Sequence, residues 1–283
     1  MRTFMAKIMI IGADSYLGAR LYFDLSKKFD VIGTYYSLKL SDKFLYLDIT
    51  NQKEADCIIT KQKPDIIIHA ANNASPKWCQ ENQNEAIEIN QNSTKHIIDA
   101  AQKVSSKIIY ISSIMAILPN DVYSKTKVAS EKMIINSGIR YLIIRPSWIL
   151  GFSPNTVNDR PFNRFLRDLD KKNKSAIYDD QNKFQPTYIG HISEVISVAI
   201  EKNIWNQTII VAADSVKSRF DLAKDIIGHF GIKITANNAS EITQIPVDND
   251  IDKLKILGFP IYSYDEIISK IIDEIKNRDK FKL

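Results

Sequence analysis

Short apolar runs alternate with amphipathic stretches through the first half of the chain, and this alternation limits the possible folds more than any other feature. Lys7–Ile11, Val31–Tyr35, Leu45–Leu47, Asp65–His69, Lys107–Ile111 and Tyr141–Ile144 read as strands. Tyr16–Lys27, Gln52–Lys61, Glu85–Val104 and Val122–Ile135 carry the helical period. Strands this apolar, separated by helices, imply a parallel sheet covered on both faces. Right-handed crossovers make such a sheet doubly wound, with ligands expected at the carboxyl ends of its strands. After Gly151 the pattern loosens, with helices expected over 161–172, 193–201, 219–230 and 264–276. The expected division is a dinucleotide-binding α/β domain over 1–150 and a smaller, partly interleaved region over 151–283 that completes the site.

Composition narrows the class further. Of the 283 residues, 45% are hydrophobic and 25% charged, which excludes wholesale disorder and collagen-like chains. No apolar run reaches the roughly 18 residues of a membrane helix. The opening segment meets Gly12-Ala13-Asp14 too early for a secretory signal. Cys57 and Cys79 are expected as reduced thiols in a cytoplasmic protein. A net charge of +5 tolerates anionic ligands without demanding nucleic acid. The densest basic cluster, Arg160, Arg164, Arg167 and Lys171, is spaced as a single helical face opposite Phe162, Phe165, Leu166 and Leu169. It is expected to point to solvent.

Three motifs carry chemistry. Ile10-Ile11-Gly12-Ala13-Asp14-Ser15-Tyr16-Leu17-Gly18 runs from strand through turn into helix. Backbone amides there and the helix N-terminus can hold a pyrophosphate, Gly12 permitting the turn and Gly18 close packing. Ser15 stands where the usual pattern has its middle glycine. The second strand ends Tyr35-Tyr36-Ser37-Leu38-Lys39, with no carboxylate for an adenosine ribose. Ser37 and Lys39 could instead meet a 2′-phosphate, which favours NADPH while leaving NADH open. Asp48 is either an adenine contact or the cap of the next helix. The third motif, Tyr123-Ser124-Lys125-Thr126-Lys127, puts a phenol and an ammonium on one helical face. A nearby ammonium favours the phenolate and moves its pKa toward working pH. Ser113, at the end of the preceding strand, can hydrogen-bond the oxygen that Tyr123 protonates.

Gly12-x-x-Ser15-x-x-Gly18, Asp48, His69-Ala70-Ala71, Ser112-Ser113, Tyr123-x-x-x-Lys127 and Arg145-Pro146-Ser147-Trp148 together resemble the extended short-chain dehydrogenase/reductase family. Leu47-Asp48-Ile49-Thr50, Arg145–Gly151 and Gln185-Pro186-Thr187-Tyr188 look most like its dTDP-4-dehydrorhamnose reductase branch. The resemblance implies Ser113, Tyr123 and Lys127 as catalytic residues. Cofactor contacts are expected from Gly12, Asp14, Ser15, Tyr16, Leu17 and Gly18, from Tyr35, Ser37 and Lys39, and from Asp48 and Ile49. Ala70, Ala71, Asn72 and Pro146 join them, with Tyr123 and Lys127 on the nicotinamide ribose. Asn73, Ser113 and Trp148 are expected to contact a nucleotide-sugar. The implied activity is NADPH-dependent reduction of the 4-keto group of a nucleotide-linked 4-keto-6-deoxyhexose. An NAD-retaining epimerase or dehydratase, or a non-catalytic cofactor-binding regulatory protein, fits the same fold. No metal, nucleic-acid or membrane partner is expected, and a homodimer is compatible.

The pattern departs from the branch at Asn72–Trp78 and at Ile114-Met115-Ala116-Ile117, between Ser113 and Tyr123. Lys77 and Trp78 either reshape the sugar pocket or form an ordinary loop with a packed indole. Asn90, on an apolar stripe with Ile87, Thr94, Ile97 and Ala101, is expected to anchor its helix or hold a water near Lys127. His191 reads as a helix-start residue rather than a metal ligand. Cys79 reads as inert.

Overall fold

The structure is a computed structural model describing residues 5–171, 174–238 and 244–283. Residue 172, the expected end of the 161–172 helix, lies outside the described residues. The first half follows the expected alternation closely: β1 Lys7–Ile11, α1 Tyr16–Leu25, β2 Asp30–Tyr35, β3 Leu45–Tyr46, α2 Gln52–Gln62, β4 Ile66–His69. Next come α3 Pro76–Glu81, α4 Gln83–Ile87, α5 Ser93–Val104, β5 Lys107–Ile111, α6 Val122–Asn136 and β6 Tyr141–Pro146. The helix read as continuous over 85–104 is interrupted by a wide turn at Glu88–Asn92. Its i→i+5 bonding inserts an extra residue, a change that the apolar period does not register.

Beyond β6 come β7 Trp148–Leu150, α7 Pro161–Asp170, β8 Ser175–Asp179, β9 Lys183–Phe184 and β10 Pro186–Tyr188. They are followed by α8 Ile189–Glu201, β11 Gln207–Val211, β12 Lys217–Ser218 and α9 Arg219–Ile226. The last elements are β13 Lys233–Asn237, α10 Ile251–Leu257 and α11 Tyr264–Lys276. α8 therefore begins four residues before the expected Ser193. α9 stops at Ile226, leaving a short 3₁₀ turn at Gly228–Phe230.

The central sheet has seven strands in the order β11-β6-β5-β4-β1-β2-β3. All its pairs are parallel. Chain order reverses between β1 and β4, the switch point that opens a crevice outside the strand ends. Successive residues feed opposite faces. Ile8, Ile10, Ile66 and Ile68 pack on one side, and Met9, Ile11 and Ile67 on the other. That double burial is the physical reason the strands read as unbroken apolar runs. β11 comes from beyond Gly151 yet pairs with β6 along Gln207–Val211. No helix among the described residues is long and apolar enough to cross a membrane.

Candidate active site

At the switch point β1 ends in Gly12, whose φ of +84° lies in the region that favours glycine. A Cβ on Gly12 would come within 2.8 Å of the Ala71 backbone, so the two strand ends can approach only without one. Gly18 is more constrained still: its Cβ would meet the Gly12 carbonyl oxygen at 2.0 Å. Ser15 is the N-cap of α1, its hydroxyl accepting from Gly18 N at 3.0 Å. The serine in the glycine position thus has a structural task of its own.

Two grooves meet above this turn. The first, about 720 Å³, runs past Gly12, Ser15, Tyr35, Ser37, Asp48 and Ala71. Asp14, Ile49, Asn72 and Asn73 also line it. Asn73, expected beside the sugar, is on this groove, while Tyr16, Leu17, Ala70 and Pro146 are on the second. Gly18 lines neither groove, sitting beneath the turn. Lys39 is directed to Asp42 at 3.1 Å, an exposed pair away from the groove lining. The Asp14 carboxylate accepts the amides of Tyr36 and Ser37 at 3.1 Å and of Leu38 at 3.3 Å. Asp48 closes a turn onto Thr50, accepting its amide at 2.9 Å and its hydroxyl at 2.7 Å. The cap of α2 is Asn51 instead.

The second groove, about 410 Å³, holds Ser113, Tyr123, Trp148 and Phe184. Ser113 follows β5, and Tyr123 is the second residue of α6 behind an Asp121/Ser124 capping box. Burial pushes the Tyr123 phenol up to about 12, opposed by the neighbouring Ser113 hydroxyl and by the Arg160 charge. Lys127 is fully buried and donates to the Ile111 carbonyl at 2.9 Å. Its Nζ lies 5.8 Å from the Tyr123 ring centroid, and it does not reach the groove surface. Burial pushes it down to about 7, with Glu131 opposing. Lowering the phenol was expected of Lys127, whereas the phenol is raised by burial and Ser113 and Arg160 offset only part of that rise. Glu131 also holds Arg145 in a bidentate pair at 2.9 and 2.6 Å.

Around this centre the remaining candidates settle. Asn90 anchors the loop that leads into α3, its amide exchanging hydrogen bonds with the Asn73 backbone at 2.7 and 2.9 Å. The wide turn at Glu88–Asn92 contains it, and its own carbonyl accepts from Ser130 at 2.8 Å. Cys79 is buried with its thiol pushed up, and Cys57 is exposed. His191 is inside α8, with Nε2 2.8 Å from the Pro260 carbonyl. Lys77 is exposed, and Trp78 packs beside Cys79 and Tyr123.

The basic stripe divides. Arg164 and Arg167 are exposed as expected and grip Asp159 at 2.6 and 2.5 Å. Arg160 does not follow them: it is the N-cap of α7, in extended backbone, and lines both grooves. Pro161, at the first helical position, was the available signal that Arg160 lies outside the helical face. Arg219, which no motif marked, also lines the second groove, its guanidinium carbon 5.6 Å from the Trp148 ring centroid.

The residues present fit a dinucleotide. The Gly12–Ala71 approach leaves a cradle that a Cβ would fill, and Asn72 Oδ1 is buried at both grooves without a hydrogen-bond partner among the described residues. The model of the RmlD substrate binding domain family matches residues 6–252. The chain belongs to the RmlD family. It is 29% identical over 220 residues to dTDP-4-dehydrorhamnose reductase of Aggregatibacter actinomycetemcomitans, covering 72% of this chain and 71% of that one. It is also 23% identical over 217 residues to methionine adenosyltransferase 2 subunit beta of Xenopus tropicalis, covering 72% and 64%. Among solved structures, dTDP-4-dehydrorhamnose reductase from Bacillus anthracis, in complex with NADP, superposes with a TM-score of 0.82 at 22% identity. That likeness covers 97% of this chain and all of the other, and it establishes the doubly wound fold for this RmlD-family member.

Proposed function

We propose that this protein is an NADPH-dependent reductase of the 4-keto group on a nucleotide-linked 4-keto-6-deoxyhexose, with NADH also accepted. The observation that carries the reading is the placement of Ser113 and Tyr123 together on the lining of a groove that adjoins the dinucleotide cradle. The RmlD family match and the reductase relative support the same substrate class. Gly12, Ser15, Ala71 and Asn72 would hold the dinucleotide. A bound reduced nicotinamide supplies the hydride for the carbonyl carbon.

Tyr123 is the general acid. A phenol held near 12 remains protonated at neutral pH and has a proton to give as the carbonyl oxygen becomes an alkoxide. Ser113 orients that oxygen, and Lys127, beneath the pair, supplies positive charge as the phenolate forms. Trp148, packed on Phe184 at 4.0 Å between ring centroids, gives the substrate a flat apolar wall. Residues 1–150 carry the dinucleotide side and 151–283 mostly the substrate side, interleaved through β11. Free thiols at Cys57 and Cys79 support a reducing, cytoplasmic setting.

The test is nicotinamide oxidation followed by absorbance with 4-keto-6-deoxyhexoses linked to dTDP, UDP, GDP or CDP. Stoichiometric NADPH loss that Tyr123→Phe abolishes is the expected result. Product formed without net cofactor consumption would instead identify an epimerase or dehydratase. A second reading, a non-catalytic cofactor-binding regulator, takes its support from the methionine adenosyltransferase β-subunit relative. It predicts cofactor binding with no turnover of any sugar.

A further inference from the structure

The second groove holds two guanidinium groups that the reaction above does not use. Arg160 stands at the mouth shared by both grooves, and among the described residues no carboxylate lies within ion-pair distance of it. Its neighbours Arg164 and Arg167 have taken Asp159, so the nearest acid in sequence is already engaged. Arg219 opens α9 and lies over Trp148. Its Nε is buried and has no hydrogen-bond acceptor among the described residues. Asp121, a carboxylate on the lining of this groove, is spent on capping α6 through the Ser124 amide at 2.7 Å.

A buried donor without an acceptor is costly, and native structures resolve it with water, an ion or a ligand. Planar guanidinium forks match phosphate oxygens in geometry as well as charge. The two arginines reach the groove from different elements, α7 and α9, with the Tyr123 hydroxyl and the Trp148 ring on the same lining. We infer that Arg160 and Arg219 form a two-point clamp on the diphosphate that joins sugar to nucleoside in the substrate. The inference rests on the reductase reading for its substrate class, and it deepens that reading by naming what holds the substrate's charged centre. Arg219 separates this role from cofactor binding, because it lines the second groove and not the first. Seated between the clamp and Ser113, the sugar presents its carbonyl to Tyr123.

The experiment is calorimetric titration of the full chain, saturated with NADPH, with dTDP, UDP, GDP and CDP, each against its own nucleoside. Wild type, Arg160→Gln, Arg219→Gln and Arg219→Lys are compared, with thermal melting to verify folding. The expected result is a preference for one or more diphosphates over the nucleoside. Each Gln variant should reduce that preference by about 10- to 100-fold, the worth of one charge-assisted contact. Arg219→Lys recovers part of it, and nucleoside affinity and the NADPH affinity of Arg219→Gln do not change. A wild type with no preference for any diphosphate, or Gln variants that keep it, overturns the clamp. Weaker NADPH binding by Arg160→Gln with diphosphate binding intact removes Arg160 from it. The turnover assay separates the two proposals. Lost diphosphate binding without any sugar reduction sustains the clamp and defeats the reductase reading, and the reverse pattern does the opposite.

Discussion

Tyr123 and Lys127 show how one helical turn sets two protonation states. Burial drives them apart, the phenol up to about 12 and the ammonium down to about 7, so each disfavours its charged form. Removing the phenol's hydroxyl in Tyr123→Phe is expected to lower kcat by roughly 10²–10⁴-fold while NADPH affinity, measured by fluorescence titration, persists. In the proposed mechanism Lys127 assists as a cation, so the rate of reduction should fall as pH rises through about 7. Glu131 is the charge that opposes this neutralisation. Glu131→Gln should therefore shift the falling limb of the kcat/KM profile to lower pH, and an unmoved limb would assign it to another group. Tyr123, Lys127 and Ser113 were legible in the sequence because their spacing along one strand end and one helix is local. Arg160 was misread because a four-three-four spacing looks the same whether or not its first member lies inside the helix.

At the scale of elements, the β1–α1 turn holds the most closely approached of the chain's glycines. Gly18 faces a backbone carbonyl, not the tip of a flexible side chain, so nothing nearby can yield. Gly18→Ala should both lower the melting temperature and weaken dinucleotide binding, because separating α1 from the turn distorts the amides proposed to hold the pyrophosphate. A variant with unchanged melting and cofactor affinity would show that the turn relaxes. The wide turn at Glu88–Asn92 is the counterpart on the far side of the cleft. It leaves the Asn90 carbonyl to Ser130 and Thr94 while the side chain ties down the Asn73 backbone. Strand ranges in the first half were legible to within a few residues, since a doubly covered sheet requires its apolar strands, whereas the short helix α3 was not expected. β8 and β13 were not: Ile177 is 67% exposed, and a short pair with one wet face has too little apolar content to announce itself.

Across the whole molecule, Arg20 and Glu274 join the two ends of the chain. Arg20 on α1 reaches Glu274 on α11 at 2.7 Å, Asp24 at 2.6 Å and the Phe152 carbonyl at 2.7 Å. Burial works against the Arg20 charge, yet Glu274 and Asp24 hold its pKa above the usual range. Glu274 also accepts the Phe152 amide at 2.8 Å and the Tyr188 hydroxyl at 2.5 Å. Glu274→Ala leaves a buried guanidinium short of its partner, and denaturant unfolding should record a loss of about 3–5 kcal/mol. His69 adds a pH dependence. It is buried with its pKa pushed down to about 3 from 6.5, first by burial and then by Lys127. Between those values the unfolded chain binds the extra proton, so stability falls on acidification by about 1.4 kcal/mol per pH unit. His69→Gln should flatten that slope in chemical denaturation between pH 6 and 4.

The parallel sheet, its double covering and the Gly12 turn followed from the sequence alone, because burial on two faces and backbone permissiveness leave marks on neighbouring residues. The same holds for the placement of Ser113 at a strand end and of Tyr123 at a helix start. Tertiary structure decided what depends on distant segments meeting. It brought β11 back into the sheet and set Asp14 against the Tyr36–Leu38 amides. It also brought Arg160 and Arg219 together on the groove that holds Tyr123. Those pairings form across tens of residues, where no period or spacing in the chain records them.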